Sequence, residues 1–481
     1  MKQRLLVQFS YVTASRYLAE CLFLVRGLVV AHLLGPAIFG LWSAMRLLNG
    51  YSNLAQLGVR DGMLQHAPYA DSTGDPERAR LYRGVASAIN LVAALVAACA
   101  ASTVLVFRYP DGRTSWWVLF ACLLVLAQTF HFSQKSLNSQ KKFALSSSLT
   151  LMFAVLSTVA GITGVWQAGL NGFLVAVVLS YALTIGVAVI VGPIDARPRW
   201  SPEVARELIL TGFPILASTL LLTLLWSIDR LLIWLHLGGK DLGIYSIQSY
   251  FTGAILLVPA AIASVLRPHL MTVLGLRATS GELASVMEKS ALLFARTMLP
   301  VAGTACLLLH LPIRWLLPDY SAAIGPGRIL VFFTFVSMLG SIPVNFLITL
   351  GHQRALLAIR SLAVIMTVLT VTYTLQRDGG YVDIALSTGL GITASSALVI
   401  TASLRALAMP FHRRLRYAAW NAGLVILLTA ALALAWWVFP DRPETWQQDL
   451  LTTAGRCLVL LVVTAPLLVP AIREISGMQS R

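Results

Sequence analysis

HLLGPAIFGLWSAMR, residues 32–46, sets a Gly-Pro pair inside apolar sequence and brings glycine back at position 40. Glycine tolerates positive φ and proline has no amide hydrogen to donate, so the pair marks a reversal between two helices. The apolar runs on either side, about 9–34 and 37–64, are each long enough to cross a membrane. A crossing of the ~30 Å hydrocarbon layer takes about 20 residues. Read the same way, the rest of the chain gives runs at about 82–107, 115–137, 143–168, 170–192, 208–235, 242–268, 290–316, 327–350, 355–376, 381–408, 417–439 and 449–471. The expectation is an all-α polytopic membrane protein of about fourteen transmembrane helices, with the turn at Gly35–Pro36 as its first outer hairpin.

Composition agrees. Of 481 residues, 57% are hydrophobic and 12% charged, about half the charge of an ordinary soluble domain. The net charge of +16 would suit nucleic acid if it were clustered, but it is sorted by side. With the N-terminus in the cytoplasm, the short loops on that side hold eighteen lysines and arginines, among them Arg78, Arg80, Arg197, Arg199, Arg413 and Arg414. The other side holds six: Arg108, Arg113, Lys240, Arg328, Arg377 and Arg442. This bias places both termini in the cytoplasm and excludes a nucleic-acid partner. Arg16, Glu20 and Arg26 interrupt what would be the core of a cleaved signal. Cys21, Cys99, Cys122, Cys306 and Cys457 fall in apolar runs without a CxxC pair, so they read as small buried hydrophobes with no disulfide and no metal site. A GxxxxGK[ST] loop is absent, which argues against ATP hydrolysis by this chain.

The opening stretch has a near-copy. LGPAIFGLWS (34–43) returns as LGGKDLGIYS (237–246), an offset of 203 residues, with L-G-x-x-x-x-G-[LI]-[WY]-S common to both. A weaker echo joins NSQKKFA (138–144) to LGHQRAL (350–356). The reading is two six-helix lobes related by a parallel repeat, around a central cavity. They span 1–193 and 208–408, with a cytoplasmic linker at 194–207 that includes WSPEVARE (200–207). Two further helices and a tail occupy 409–481.

Charges inside such runs cost at least ~2.5–3.5 kcal/mol each, so each needs a reason. Arg26 and Arg46 lie eight or nine residues in from the turn between them, which puts both guanidiniums roughly 12–14 Å deep on neighbouring helices. Asp229 occupies the repeat position of Arg26 and is followed by Arg230. Arg46, Asn49, Asn53, Gln56 and Arg60 follow one another at spacings of 3, 4, 3 and 4, which lines one face of a continuous helix. Gln128, His131, Lys135 and Asn138 form a shorter stripe. Arg26, Arg46, Asn49, Asn53 and Gln56 are the candidate substrate-binding residues, lining a hydrated anion-binding cavity. The plainer readings stand beside it. Salt bridges to Asp229 and Glu20 would also satisfy Arg26 and Arg46. Arg60, Asp61 and Lys135, near the end of their runs, read as snorkelling to the interface. Arg16–Glu20 and Asp229–Arg230 are structural pairs or ion-coupling sites. His32, His236 and His310 read as solvated near the outer surface. Pro214, Pro259, Pro300 and Pro343 read as kinks.

Four stretches carry a resemblance: LVVAHLLGPAIFGLWSAMRLLNGYSNLAQLGVRDGMLQ (28–65), TGFPILAS (211–218), SIDRLLIWLHLGGKDLGIYS (227–246) and TLGHQRAL (349–356). With these the chain resembles the polysaccharide transporter family, the Wzx-type O-antigen and exopolysaccharide flippases of the MOP superfamily, to which MATE drug exporters also belong. The resemblance implies a MATE-like fold, and a bacterial inner-membrane flippase that is not an enzyme. It implies as substrate an oligosaccharide repeat unit on undecaprenyl pyrophosphate, moved from the inner to the outer leaflet in contact with membrane lipid and other polysaccharide-assembly proteins. No cofactor is implied. Coupling to an H+ or Na+ gradient is the remaining energy source, with Glu20 and Asp229 as the placed carboxylates. The alternative is a cation-coupled multidrug antiporter, for which a cationic first lobe is ill suited. Arginine suits a pyrophosphate because its planar fork binds phosphate oxygens in pairs and stays charged.

Overall fold

The computed structural model describes residues 2–192, 197–256, 280–440 and 445–479. Among the described residues the chain is helical, with no strand. Two of its helices are too long for one crossing. α1 (Lys2–Tyr51) has 50 residues and α5 (Phe143–Val191) has 49; at 1.5 Å per residue each would reach about 75 Å. Both break where the sequence turns. In α1 the break is Gly35, with φ 70° and ψ 167°. Its two arms fold back on each other. The ring of Phe173 is met by the Arg26 guanidinium at 5.9 Å from the first arm and by the Trp42 ring at 4.8 Å from the second. A straight helix would hold residues 26 and 42 about 24 Å apart. α5 breaks at Ala168–Gly169. There Gly164 and Gly172 come so close that a Cβ on either would overlap the other's carbonyl.

Eleven helices among the described residues are long and apolar enough to cross a membrane. Counting both arms of α1 and α5 gives thirteen candidate spans among the described residues. The remaining expected helix, 242–268, runs beyond residue 256 and, with Pro259, lies partly outside the described residues. The protein is a multi-pass membrane protein.

The chain divides into two compact units. The first comprises residues 1–223 and 237–243. It contains α1, a 3₁₀ turn (Ser52–Gln56), α2 (Val59–Ser72), α3 (Pro76–Arg108), α4 (Thr114–Ser139), α5 and nearly all of α6 (Pro202–Leu225). The expected linker ends inside α6, because Pro202 opens that helix at the position where its missing N–H costs nothing. Met63, Ala67, Tyr82, Val85, Phe132 and Leu208 form one apolar core of this unit. Lipid is as apolar as these side chains, so close packing holds helices together more than exclusion from the solvent does.

The repeated motif shows that packing directly. Gly35 and Gly238, 203 residues apart, both take positive φ, 70° and 104°. Gly40 lies on the carbonyl of Gly239, and Gly243 on the carbonyl of Pro36; a Cβ at either glycine would overlap that oxygen. Residues 36 and 40 and their repeat counterparts 239 and 243, all within the first unit, thus touch reciprocally.

The helix expected over 37–64 is not continuous. The second arm of α1 stops at Tyr51, the 3₁₀ turn follows, and Leu57 (φ 51°) and Gly58 (φ 84°) are left-handed before α2 begins. The reason is packing against α6. Gly58 sits on the backbone of Gly212, and no helix with a Cβ there could come so near.

The second unit holds 224–236 and 244–481. Its described helices are α7 (Ile228–His236), α8 (Gly239–Ser246, of which the last three residues belong here), α9 (Ser280–Leu308), α10 (His310–Leu316), α11 (Ile324–Leu339), α12 (Ser341–Thr349), α13 (Gln353–Gln376), α14 (Tyr381–Ala406), α15 (Phe411–Val438) and α16 (Trp446–Gln479). The expected helix 208–235 is interrupted after Leu225, and α7 restarts at Ile228. Leu347, Leu356 and Val399 form one of its cores, and Leu225, Ala363 and Ile392 another. Pro214, Pro300 and Pro343 lie within α6, α9 and α12.

One expectation about the cysteines fails. All five are free thiols, but Cys21, Cys99 and Cys122 are exposed and only Cys306 is buried. An apolar run in a spanning helix has a lipid-facing side, so hydrophobic neighbours do not imply burial in protein.

Candidate functional site

Arg26, on the first arm of α1, is half-buried. Its Nη1 donates to Ser157 Oγ on α5 at 2.7 Å, and its guanidinium lies 4.9 Å from the Phe23 ring and 5.9 Å from that of Phe173. A hydroxyl and two π faces contact this cation, and the Glu20 carboxylate lies within its electrostatic reach. Arg46 and Asn49, on the second arm, are also half-buried. The Asn49 side-chain oxygen is buried and accepts no hydrogen bond from the described residues. A buried acceptor without a donor costs about 1–3 kcal/mol, so it is a natural seat for a hydroxyl-bearing ligand.

Below Asn49 the stripe is consumed internally. Arg60 is 3% exposed. Its Nε donates to Asn90 Oδ1 at 2.7 Å, its Nη1 to Asn53 Oδ1 at 3.2 Å, and its Nη2 to the Gln128 carbonyl at 3.2 Å and to Gln128 Oε1. Its backbone N–H donates to Gln56 Oε1 at 3.3 Å. These contacts fix each amide. Asn53 Nδ2 then donates to the Gly50 carbonyl at 3.0 Å, Gln128 Nε2 donates to Ser52 Oγ at 2.5 Å, and Ser52 Oγ donates to the Asn49 carbonyl at 2.7 Å. The structure therefore joins Asn53, Gln56 and Arg60 to Asn90 and Gln128, and leaves Asn49 as the open acceptor.

One sequence expectation is corrected here. Arg60 does not snorkel: the bend at residues 52–58 carries it into the interior, where amide oxygens replace water. Asp61, itself mostly buried, is paired at 3.0 Å with Nζ of the more exposed Lys135.

At the α2 end of this unit, Glu207 of α6 accepts from the Tyr82 hydroxyl at 2.9 Å, and its other contacts are His66 Nδ1 at 3.3 Å and Arg78 Nη2 at 3.8 Å. His66 Nε2 meets Thr211 Oγ1 at 2.9 Å. Arg83, buried on α3, pairs with Asp71. The sequence alone assigns these residues no partners.

Arg16 and Glu20 are both exposed. In the second unit Asp229 is buried; it accepts from the Tyr245 hydroxyl at 2.9 Å and from the Arg230 backbone N–H at 2.8 Å. The Arg230 guanidinium donates to the Trp226 carbonyl at 2.7 Å.

A second charged cluster is invisible in the sequence. Asp449, at the start of α16, is fully buried, as is His310 on α10. Asp449 Oδ1 lies 3.0 Å from His310 Nε2, while Oδ2 accepts from Arg314 Nη1 at 3.2 Å and Trp315 Nε1 at 2.7 Å. His310 Nδ1 meets the Leu307 carbonyl at 2.6 Å. The expectation that His310 is merely solvated is therefore wrong. The break between α9 and α10 turns it inward onto α16. The only cue in the sequence is an acid at the head of an apolar run.

The fold has clear counterparts. The chain matches a point mutant of VcmN, a Vibrio cholerae MATE transporter, with a TM-score of 0.61 at 14% identity, over 85% of this chain and 98% of that one. It matches a MATE protein in its straight conformation with a TM-score of 0.61 at 13% identity, over 84% and 95%. It also matches an inward-facing multidrug resistance MATE family transporter of the MOP superfamily, with a TM-score of 0.59 at 14% identity, over 84% and 98%. The architecture is that of the MATE transporters. By sequence, residues 29–320 match the family described as polysaccharide biosynthesis protein, and the chain belongs to that family. A comparison with curated protein sequences finds no match.

Proposed function

We propose that this protein is a flippase that moves undecaprenyl-pyrophosphate-linked oligosaccharide repeat units across a bacterial inner membrane. Transport runs from the cytoplasmic to the outer leaflet by alternating access, for O-antigen, capsule or exopolysaccharide synthesis. The observation that carries the reading is Arg60, a buried cation of the first unit whose side-chain partners are amides. Arg26 and Arg46 stand on the two arms of α1 in the same unit, and a polysaccharide family with a transporter fold suggests a substrate whose head group is a compact polyanion. Arg26 and Arg46 take the pyrophosphate, and Asn49 offers its buried oxygen to a sugar hydroxyl. Asn53 and Gln56 support the site through Arg60. Multidrug antiport, which selects organic cations, would need the opposite sign of charge in this interior.

The test is deletion of the gene followed by extraction of lipid-linked repeat units and a leaflet assay. Accumulation on the cytoplasmic leaflet with loss of surface polysaccharide is expected. Normal surface polysaccharide without accumulation, in a strain with no second flippase, would end the reading. Arg26→Ala and Arg46→Ala, each expressed at wild-type level, should fail to complement.

A further inference from the structure

Resting on the reading of the first unit as a pyrophosphate site, we infer that Arg60 sets its selectivity: an unneutralised, buried guanidinium that biases this interior toward anionic ligands.

Among the described residues no carboxylate comes within ion-pair distance of Arg60; its side-chain partners are the amides of Asn53, Asn90 and Gln128. The neighbouring acids are committed elsewhere, Asp61 to Lys135 and Asp71 to Arg83. The group Arg60–Asp61–Lys135 therefore keeps one net positive charge. Amides satisfy the N–H groups of a guanidinium but leave its monopole intact. The monopole is costly in a spanning segment, and its effect extends well beyond contact distance where water is scarce.

A cheaper solution is one atom away. Asn90 Oδ1 already sits 2.7 Å from Nε, and aspartate is the near-isostere of asparagine. An aspartate at position 90 would keep the shape and the hydrogen bond while cancelling the charge. Glutamate at 128 would likewise set a carboxylate against Nη2, but it would lose the Nε2 donation to Ser52 Oγ. The structure has the amide at both positions, so the geometry is that of an ion-pair nest from which the acid has been left out. The amides of Gln128 and Asn53 are also pinned from behind by the Ser52 and Gly50 contacts, so their oxygens stay aimed at the guanidinium. Arg60 touches the site only through Asn53 and the turn leading to Asn49, and it acts as a specificity-determining, positioning residue.

The experiment uses the full chain, purified in detergent, with a prenyl pyrophosphate as probe and the matching prenyl alcohol as control, both titrated calorimetrically. Wild type should bind the pyrophosphate in preference to the alcohol, with affinity falling as salt rises. Asn90→Asp should melt at or above the wild-type temperature, yet bind the pyrophosphate at least tenfold more weakly, with binding of the alcohol unchanged. Gln128→Glu, which also loses the Ser52 contact and should melt lower than Asn90→Asp, should weaken pyrophosphate binding to the same extent and serves if Asn90→Asp does not fold. Arg60→Lys, which keeps the charge, should retain more pyrophosphate affinity than Arg60→Gln. Folded Asn90→Asp or Gln128→Glu protein that binds the pyrophosphate as wild type does would overturn the inference and leave the flippase reading to Arg26 and Arg46. A wild type that does not distinguish pyrophosphate from alcohol would remove both.

Discussion

Arg60 in the first unit and Asp449 in the second are both buried charges, and they are stabilised by opposite means. Around Arg60 every side-chain partner is a neutral amide. Around Asp449 stand an arginine, a histidine and an indole N–H, so a single acid receives more donors than it needs to balance it. The Asp449 cluster ties α10 to α16 and leaves little field outside itself. The Arg60 cluster satisfies hydrogen bonds without neutralising anything. A charge that is only structural is expected to look like Asp449; one kept for its field looks like Arg60.

That contrast is open to attack by mutation, most severely at Asp449. Asp449→Ala takes from the buried His310 and from Trp315 the acceptor they share with Arg314, and each buried donor left unpaired costs about 1–3 kcal/mol. The expected result is a large fall in the thermal midpoint of the detergent-solubilised protein; a negligible shift would show that the cluster is wet or slack. Arg60→Met comes next. It leaves the Asn53, Asn90 and Gln128 oxygens without their donor, at about 1–3 kcal/mol for each group not rescued by water. Here the loss should include pyrophosphate binding as well as stability, and stability alone would make Arg60 a second Asp449. Tyr245→Phe removes the hydroxyl donor to Asp229 and should lower stability by about 1–2 kcal/mol. Lys135→Met breaks a pair whose lysine is well exposed, for which less than about 1 kcal/mol is expected; a larger loss would mean that the mostly buried Asp61 depends on Lys135 as its counter-charge.

The parts of this molecule that sequence makes plain are those with local causes. Hydropathy places the spans, because each must be about 20 residues long whatever it packs on. The Gly-Pro pair at 35–36 and the Ala-Gly pair at 168–169 sit at the two breaks that fold α1 and α5. The bend at 52–58 is hidden because Ser52 to Gln56 are acceptable in a helix and continue the polar spacing. Only Leu57–Gly58 hints at it, and the partner that imposes it, Gly212, is 154 residues away from Gly58. The same distance problem hides both clusters. Asn90 and Gln128 lie on separate helices, Gln128 as the head of a stripe that points to no partner, and Asp449 meets His310 across 139 residues of chain. Nothing in local spacing joins them. The polar stripe does collect Asn53, Gln56 and Arg60, which share one network in the structure. Reading Arg60 as a snorkelling residue fails because that reading assumes a straight helix.

The reciprocal contact of the repeated decapeptide bears on how such a chain can change over time. After a duplication the two halves usually drift, since each position in one copy is free of its counterpart in the other. Gly40 and Gly243 are not free in this sense, because the carbonyl that limits Gly40 belongs to Gly239, and the one that limits Gly243 belongs to Pro36, its counterpart. A side chain added to either copy pushes apart the same pair of backbones and so disturbs the seat of the other. Neither copy has a neutral first step away from glycine, and this is a physical reason why these ten residues still read as a repeat while most of the two halves no longer do.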